Sequence, residues 1–273
     1  MCMKDFIITE YNFISKKLVR PVCIAMLADL HNQQYGRHNQ KLLRAIESQK
    51  VDFILLAGDM LVCRPDEALK NRQTAEFIVQ LAKLAPVFYG IGNHEKGVMD
   101  GIRDTQGFWS AYKRIWEPCP DIHMLQDEKI LLQDYNICIY GLDLDRDYYK
   151  RLYMKRLNPS VLTDKLGEAD ASHYNILLAH NPDYFRSYAA WKPDLIVAGH
   201  NHGGMVRFGR LGGVVSPRLH PFPKYDYGVY EDAQRDVRMV VTSGCGSHSI
   251  PLRINNPPEL CILHIENPHP LLK

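Results

Sequence analysis

Apolar residues fall into short strand-sized blocks, each closed by a polar cluster. Segments 22–28, 87–91 and 195–198 are continuously apolar, and 51–57 and 174–179 are so but for Asp52 and Asn175, as strands buried on both faces tend to be. Between the first three the spacing becomes helical. Leu42, Leu43 and Ile46 share one face of 39–49, and Phe77, Ile78, Leu81 and Leu84 one face of 66–85, which Pro86 closes. Residues 6–20 alternate loosely and run into Lys16, Lys17, Arg20 and Pro21, predicting an edge strand and a turn. Segment 107–117 carries Phe108, Trp109, Tyr112, Ile115 and Trp116 at helical spacing. Residues 122–144 predict two or three short strands joined as hairpins at 126–128 and 133–136. A charged, tyrosine-rich stretch follows over 145–173, with one short helix after Pro159. A second hairpin is predicted from 227–230 and 237–243 around 231–234, and a last strand at 260–265.

Strand–helix alternation first and hairpins later predict an α/β fold: a four-layer α/β/β/α sandwich of two mixed sheets flanked by helices. With no internal repeat and no low-complexity linker, residues 1–273 are read as one domain. The apolar share of 46% and charged share of 23% are ordinary, and a formal net charge of +2 gives no electrostatic case for nucleic acid or an anionic membrane. No apolar run approaches the roughly 20 residues that span a bilayer. The N-terminus lacks a basic region leading into an apolar one, so a cytoplasmic location is expected. Seven cysteines, an odd number with no Cys-x-x-Cys, speak against a disulfide framework or a thiolate zinc site.

The polar clusters carry the chemistry. Five apolar segments end in metal-type donors: Asp29-x-His31, Gly58-Asp59, Gly92-Asn93-His94-Glu95, His180, and Gly199-His200-x-His202. In an extended chain residues i and i+2 share a face, so Asp29 and His31 can reach one point beyond their strand. Two cations about 3.5–4 Å apart need a carboxylate between them. Asp59 is the natural bridge, because Gly58 allows close backbone approach. Oxygen and nitrogen donors without thiolate suit Mn, Fe, Zn or Co more than Ca.

In order and spacing these segments resemble the calcineurin-like metallophosphoesterases, whose pattern is D-x-H, G-D, G-N-H-[DE], H, G-H-x-H. The resemblance spans 29–202. It implies Asp29, His31, Asp59 and His202 around one divalent ion, and Asp59, Asn93, His180 and His200 around the other. It further implies His94 as general acid, attack by a metal-bridging hydroxide on a small phosphoester, and hydrolysis of the P–O bond. Glu95 is read as orienting a neighbour or capping a helix. Gly203-Gly204 and the segments 247–253 and 257–260 are similar to a bacterial branch related to YkuE and YaeI. Some members of that branch cleave phosphodiester or pyrophosphate bonds of lipid-linked substrates. Ala28, Asn201 and His248 depart from it, which leaves the metal ligands intact but argues against the lipid substrate; beside a phosphodiesterase or phosphatase stand two alternatives. One is a pyrophosphatase for a nucleotide-diphosphate-linked substrate, the other a catalytically inactive metal-binding scaffold.

Three further groups stand out. Arg218, His220, Lys224 and Tyr225, in a Pro-rich loop, are candidate contacts to the phosphate or its leaving group. Asp143 and Asp145 are read as a solvated strand end rather than a third metal site. Tyr148, Tyr149 and Tyr153, with Lys150, Arg151, Lys155 and Arg156, are read as a solvated basic-aromatic patch.

Overall fold

The strands alternate their burial between two interfaces, and that alternation stacks the layers. The computed structural model describes residues 5–150, 155–204, 206–207, 212–214, 222–247 and 253–268. One sheet contains β1 (Ile7–Ile14), β2 (Val22–Leu27), β3 (Phe53–Leu56), β4 (Val87–Gly90), β5 (Ile122–Leu125) and β12 (Glu259–Glu266), in the order β1-β12-β2-β3-β4-β5. The other contains β6 (Glu128–Leu132), β7 (Ile137–Gly141), β8 (Tyr174–Leu178), β9 (Leu195–Ala198), β10 (Gly228–Asp232) and β11 (Val237–Val241), in the order β10-β11-β9-β8-β7-β6. Strands β2 to β5 are parallel, as are β7, β8, β9 and β11. Both sheets are mixed, because β12 runs antiparallel to β2, β6 to β7 and β10 to β11.

Ile24, Met26, Phe53 and Leu55 point toward the second sheet and meet Ile139, Ile176 and Val197 there. Their neighbours Ala25, Leu27, Ile54 and Leu56 face outward onto helices α1 (Gln40–Gln49), α2 (Ala68–Ala82) and α4 (Phe108–Trp116). Tyr140, Leu177 and Ile196 of the second sheet face α5 (Ser160–Leu166) and α6 (Phe185–Trp191). Three apolar interfaces thus separate four layers, the architecture expected from the sequence. No helix among the described residues is long and apolar enough to cross a membrane.

Two local expectations differ. The turn at 126–128 does not close a hairpin: β5 pairs in parallel with β4, and the chain then crosses to the other sheet, where β6 and β7 form the hairpin. Short half-buried strands carry the same alternation whichever sheet they join, so the pattern is silent on the crossing. Two helices were also not anticipated. One is α3 (Asn93–Met99), with no broad apolar stripe, started by Glu95 accepting the Gly92 N–H at 3.1 Å. The other, α6, has a legible stripe of Phe185, Tyr188 and Ala189.

The inter-sheet layer should dominate stability. Phe53→Ala, which opens a cavity against Phe88 and Tyr135, is expected to cost about 3–5 kcal/mol in denaturant unfolding. Ile8→Ala, at a position 41% exposed on β1, should stay within about 0.5 kcal/mol.

Candidate active site

Because β2, β3 and β4 are parallel neighbours in one sheet and β8 and β9 in the other, their carboxyl ends lie at one edge of the sandwich. The donors following them converge there. Asp29, His31 and His202 form one cluster and Asp59, His180 and His200 a second, while Asp59 also groups with His31 and His94. His31 Nε2 stands 3.1 Å from His202 Nε2 and 3.9 Å from Asp29 Oδ1, and His202 Nε2 is 3.6 Å from the same oxygen. Asp59 Oδ2 is 3.2 Å from His180 Nε2 and 3.9 Å from His31 Nε2. His200 Nδ1 lies 3.3 Å from His180 Nε2. Donors bound about 2.0–2.2 Å from one ion stand roughly 3–4 Å from each other, so these spacings suit divalent cations. Asp29 Oδ1 and Asn93 Oδ1 are buried with no hydrogen bond, as oxygens awaiting a cation would be.

The two carboxylates fasten the site as well as line it. Asp29 accepts the His200 N–H on Oδ2 at 2.8 Å, leaving Oδ1 for the first cluster. Asp59 accepts the His94 N–H on Oδ1 at 2.7 Å and turns Oδ2 to both clusters. Each aspartate therefore joins a loop from another strand to its own. Behind Asp59 sits the fully buried Glu95, which accepts the N–H groups of Asp59 (2.8 Å), Leu61 (3.1 Å) and Gly92 and the Tyr89 hydroxyl (2.6 Å). It both orients a neighbour and starts a helix.

Asp29, His31, Asp59, His200 and His202 all adopt positive φ, between 45° and 69°. Left-handed backbone is uncommon outside glycine, and its clustering here marks a place where geometry overrides local preference. The turns need room. A Cβ on Gly58 would lie 2.7 Å from Gly92 Cα and from His180 Nδ1, and one on Gly199 2.5 Å from Asp29 Oδ2.

Electrostatically, the buried carboxylates and imidazoles of the pocket shift one another's titration. Burial pushes the Asp29 carboxyl up to about 7, with His180 opposing and Asp59 reinforcing the rise. Burial works against charge on His180, but Asp59 and then Asp29 override it and raise its pKa to about 9. Burial also acts to raise Asp59, yet His180, His94 and His31 hold it well below the usual carboxylate range. The His180 Nδ1–H donates to the Ala57 carbonyl at 2.7 Å, which fixes the ring and aims Nε2 at the carboxylates.

The other sequence candidates divide. Arg218, His220, His248, Arg151 and Tyr153 lie outside the described residues. The Tyr225 ring is buried against Phe185 and Tyr230, where it is part of the core rather than a contact over the donors. Its carbonyl accepts from the Asn201 side chain at 2.9 Å, so it braces the loop between the two histidines. Lys224 is exposed beside it. Asp143 is not a solvated strand end: it is buried, paired with Lys96 Nζ at 3.1 Å and bonded by Gln126 at 3.0 Å, whereas Asp145 is exposed. Alternation alone could not foresee that α3 brings a lysine over it. Tyr149, read as surface, sets its ring 5.4 Å from that of His200 and 6.1 Å from that of His180. Nothing in the sequence separates it from Tyr148, whose ring turns inward.

A two-cluster pocket of carboxylate, amide and imidazole donors at the carboxyl edge of a double-sheet sandwich defines a metallohydrolase-type site. The comparisons agree. Residues 24–204 match the calcineurin-like phosphoesterase family, and the chain belongs to it. It is similar to an uncharacterized metallophosphoesterase of Helicobacter pylori, with 29% identity over 91% of this chain and 61% of that protein. The chain thus spans about three-fifths of that relative's length. It is also similar to the uncharacterized metallophosphoesterase YkuE of Bacillus subtilis, with 23% identity over 89% of this chain and 79% of YkuE. A third relative is UDP-2,3-diacylglucosamine pyrophosphatase LpxG of Chlamydia muridarum, at 22% identity over 88% of this chain and 82% of that protein.

His180 and Asp29, with raised pKa values, would have to release protons for a divalent cation to be held there. The metal-free form then binds more protons than the loaded one up to about pH 9, so affinity should rise with pH. Titration of Mn²⁺ into metal-free protein should show tighter binding at each step from pH 6 to 9, with proton release in calorimetry. Affinity independent of pH would contradict this assignment.

Proposed function

We propose that the chain is a dinuclear metal-dependent phosphoesterase. Asp29, His31, Asp59 and His202 would hold one divalent cation, and Asp59, Asn93, His180 and His200 the other. The supporting observation is Asp59 Oδ2, one oxygen lying within 3.2 Å of His180 Nε2 and 3.9 Å of His31 Nε2, donors of different clusters. The donor set admits Mn, Fe, Zn or Co. When bound, such cations acidify a water for attack on phosphorus and neutralise charge on the phosphoryl oxygens.

The chain's own part is placement and proton supply. His94 Nδ1 accepts the Cys63 N–H at 2.9 Å, which leaves Nε2 as the nitrogen that carries a proton to the leaving oxygen. Its ring stands edge-on to His31 at 4.8 Å, at the rim of the first cluster. Asn93 contributes a neutral amide oxygen, which keeps the second cation site from accumulating negative charge before a phosphate arrives. The Tyr149 ring lies against the His180–His200 side of the site.

A second reading, cleavage of a pyrophosphate link in a nucleotide-diphosphate substrate, draws support from the similarity to LpxG. A metal-holding scaffold without turnover is the less favoured reading, since His94 and the complete donor set are present.

Turnover of bis-p-nitrophenyl phosphate by Mn-loaded protein tests the proposal. His94→Ala should lower kcat by about 10²–10⁴ while retaining both metals by elemental analysis. Full metal content with no turnover of any phosphoester would instead support the scaffold. Asp59→Asn should lose or disorder both cations, and two tightly held metals in that variant would overturn the bridging role.

A further inference from the structure

Segments 156–159, 183–187 and 224–225, around the starts of α5 and α6, enclose a cavity of about 740 Å³, with Arg156, Arg186 and Lys224 around it and Tyr184 and Tyr225 in its wall. All three cations are exposed, and among the described residues none pairs with a carboxylate. Asp183, the acidic residue lining the cavity, accepts the Asn201 side chain on Oδ1 at 3.1 Å. Three basic side chains against one acidic residue leave this concave surface with an excess of positive charge, and an anionic ligand relieves the repulsion among them.

The cavity is built onto the candidate metal loops. Asn201, between His200 and His202, is 1% exposed and bonds both Asp183 and the Tyr225 carbonyl, each in the cavity wall. The next residue after His180, Asn181, donates to the Tyr148 carbonyl at 3.1 Å, which the wall residue Tyr184 also bonds at 3.1 Å. Tyr149 follows Tyr148 and lies against His180 and His200. The wall of the cavity and the second cluster are therefore separated by single residues of shared scaffold.

We infer that this cavity is a second anion-binding site, taking a phosphate of the substrate other than the group at the metals. It rests on the hydrolase reading above and gives that reading a substrate class: molecules with a phosphoryl group at the cations and a further phosphate or pyrophosphate oxygen beyond it. Arginine suits the task, because its planar fork binds phosphate oxygens in pairs.

The test compares Arg156→Ala/Arg186→Ala with the parent, both Mn-loaded. Bis-p-nitrophenyl phosphate, with one anionic group, should keep its kcat/KM within about twofold, while KM for UDP-glucose should rise about tenfold or more. Equal losses on both substrates, or no loss on either, would overturn the inference. A binding arm separates its failure from that of the hydrolase reading. UDP-glucose affinity is measured by calorimetry in His94→Ala and in His94→Ala with both arginines replaced. Weakening of about tenfold in the latter supports the cavity even if no protein turns over substrate, and unchanged affinity refutes it.

Discussion

Two carboxylates share one buried pocket with no lysine or arginine ion-paired to either among the described residues. Burying a charge without a partner is costly, and burying two side by side more so. The chain meets this constraint by dividing each aspartate: one oxygen takes a backbone N–H from a distant loop, and the other faces imidazoles. The N–H donors come from His200 and His94, which are themselves candidate site residues. Fastening and lining are therefore one interaction. Positive charge in the pocket, whether protons on imidazole or divalent cations, becomes a condition for the loops to sit as they do.

From that condition the supporting structure follows. Gly58 and Gly199 admit backbone where any side chain would collide, and Glu95 ties together the start of α3 and the loop that carries Asp59. The strain of left-handed Asp29, His31, Asp59, His200 and His202 is held by these bonds. Further support comes from segment 243–246, where the N–H groups of Cys245 and Gly246 bond the carbonyls of Ala28 and Asp29 at 2.9 Å and 2.7 Å. Arg253 in turn grips the carbonyls of Ser243 and Gly244.

Much of this was legible in the sequence because the strands are compact apolar blocks ending in unusual polar residues. The strand ends placed Asp29, Asp59, Asn93, His180 and His200 near one edge, and the spacing of Leu42, Ile46, Phe77 and Leu81 placed the helices. What escaped depends on contacts between segments far apart. Asp143 looks like a strand-end acid until α3 sets Lys96 over it. Tyr225 looks like a loop residue until Phe185 encloses it. Tyr149 and Tyr148 are indistinguishable in sequence, yet one faces the imidazoles and the other the core. Periodicity reports which face of an element is apolar, not which element that face will meet.

The position of β12 between β1 and β2 has a consequence for how the protein is made. During synthesis, β2 emerges from the ribosome long before its antiparallel neighbour and presents an open hydrogen-bonding edge in the interim. The segment that backs Asp29 arrives only shortly before β12. The pocket therefore cannot be locked until this late part of the chain has joined, and the nascent chain depends on that arrival to escape pairing with other molecules.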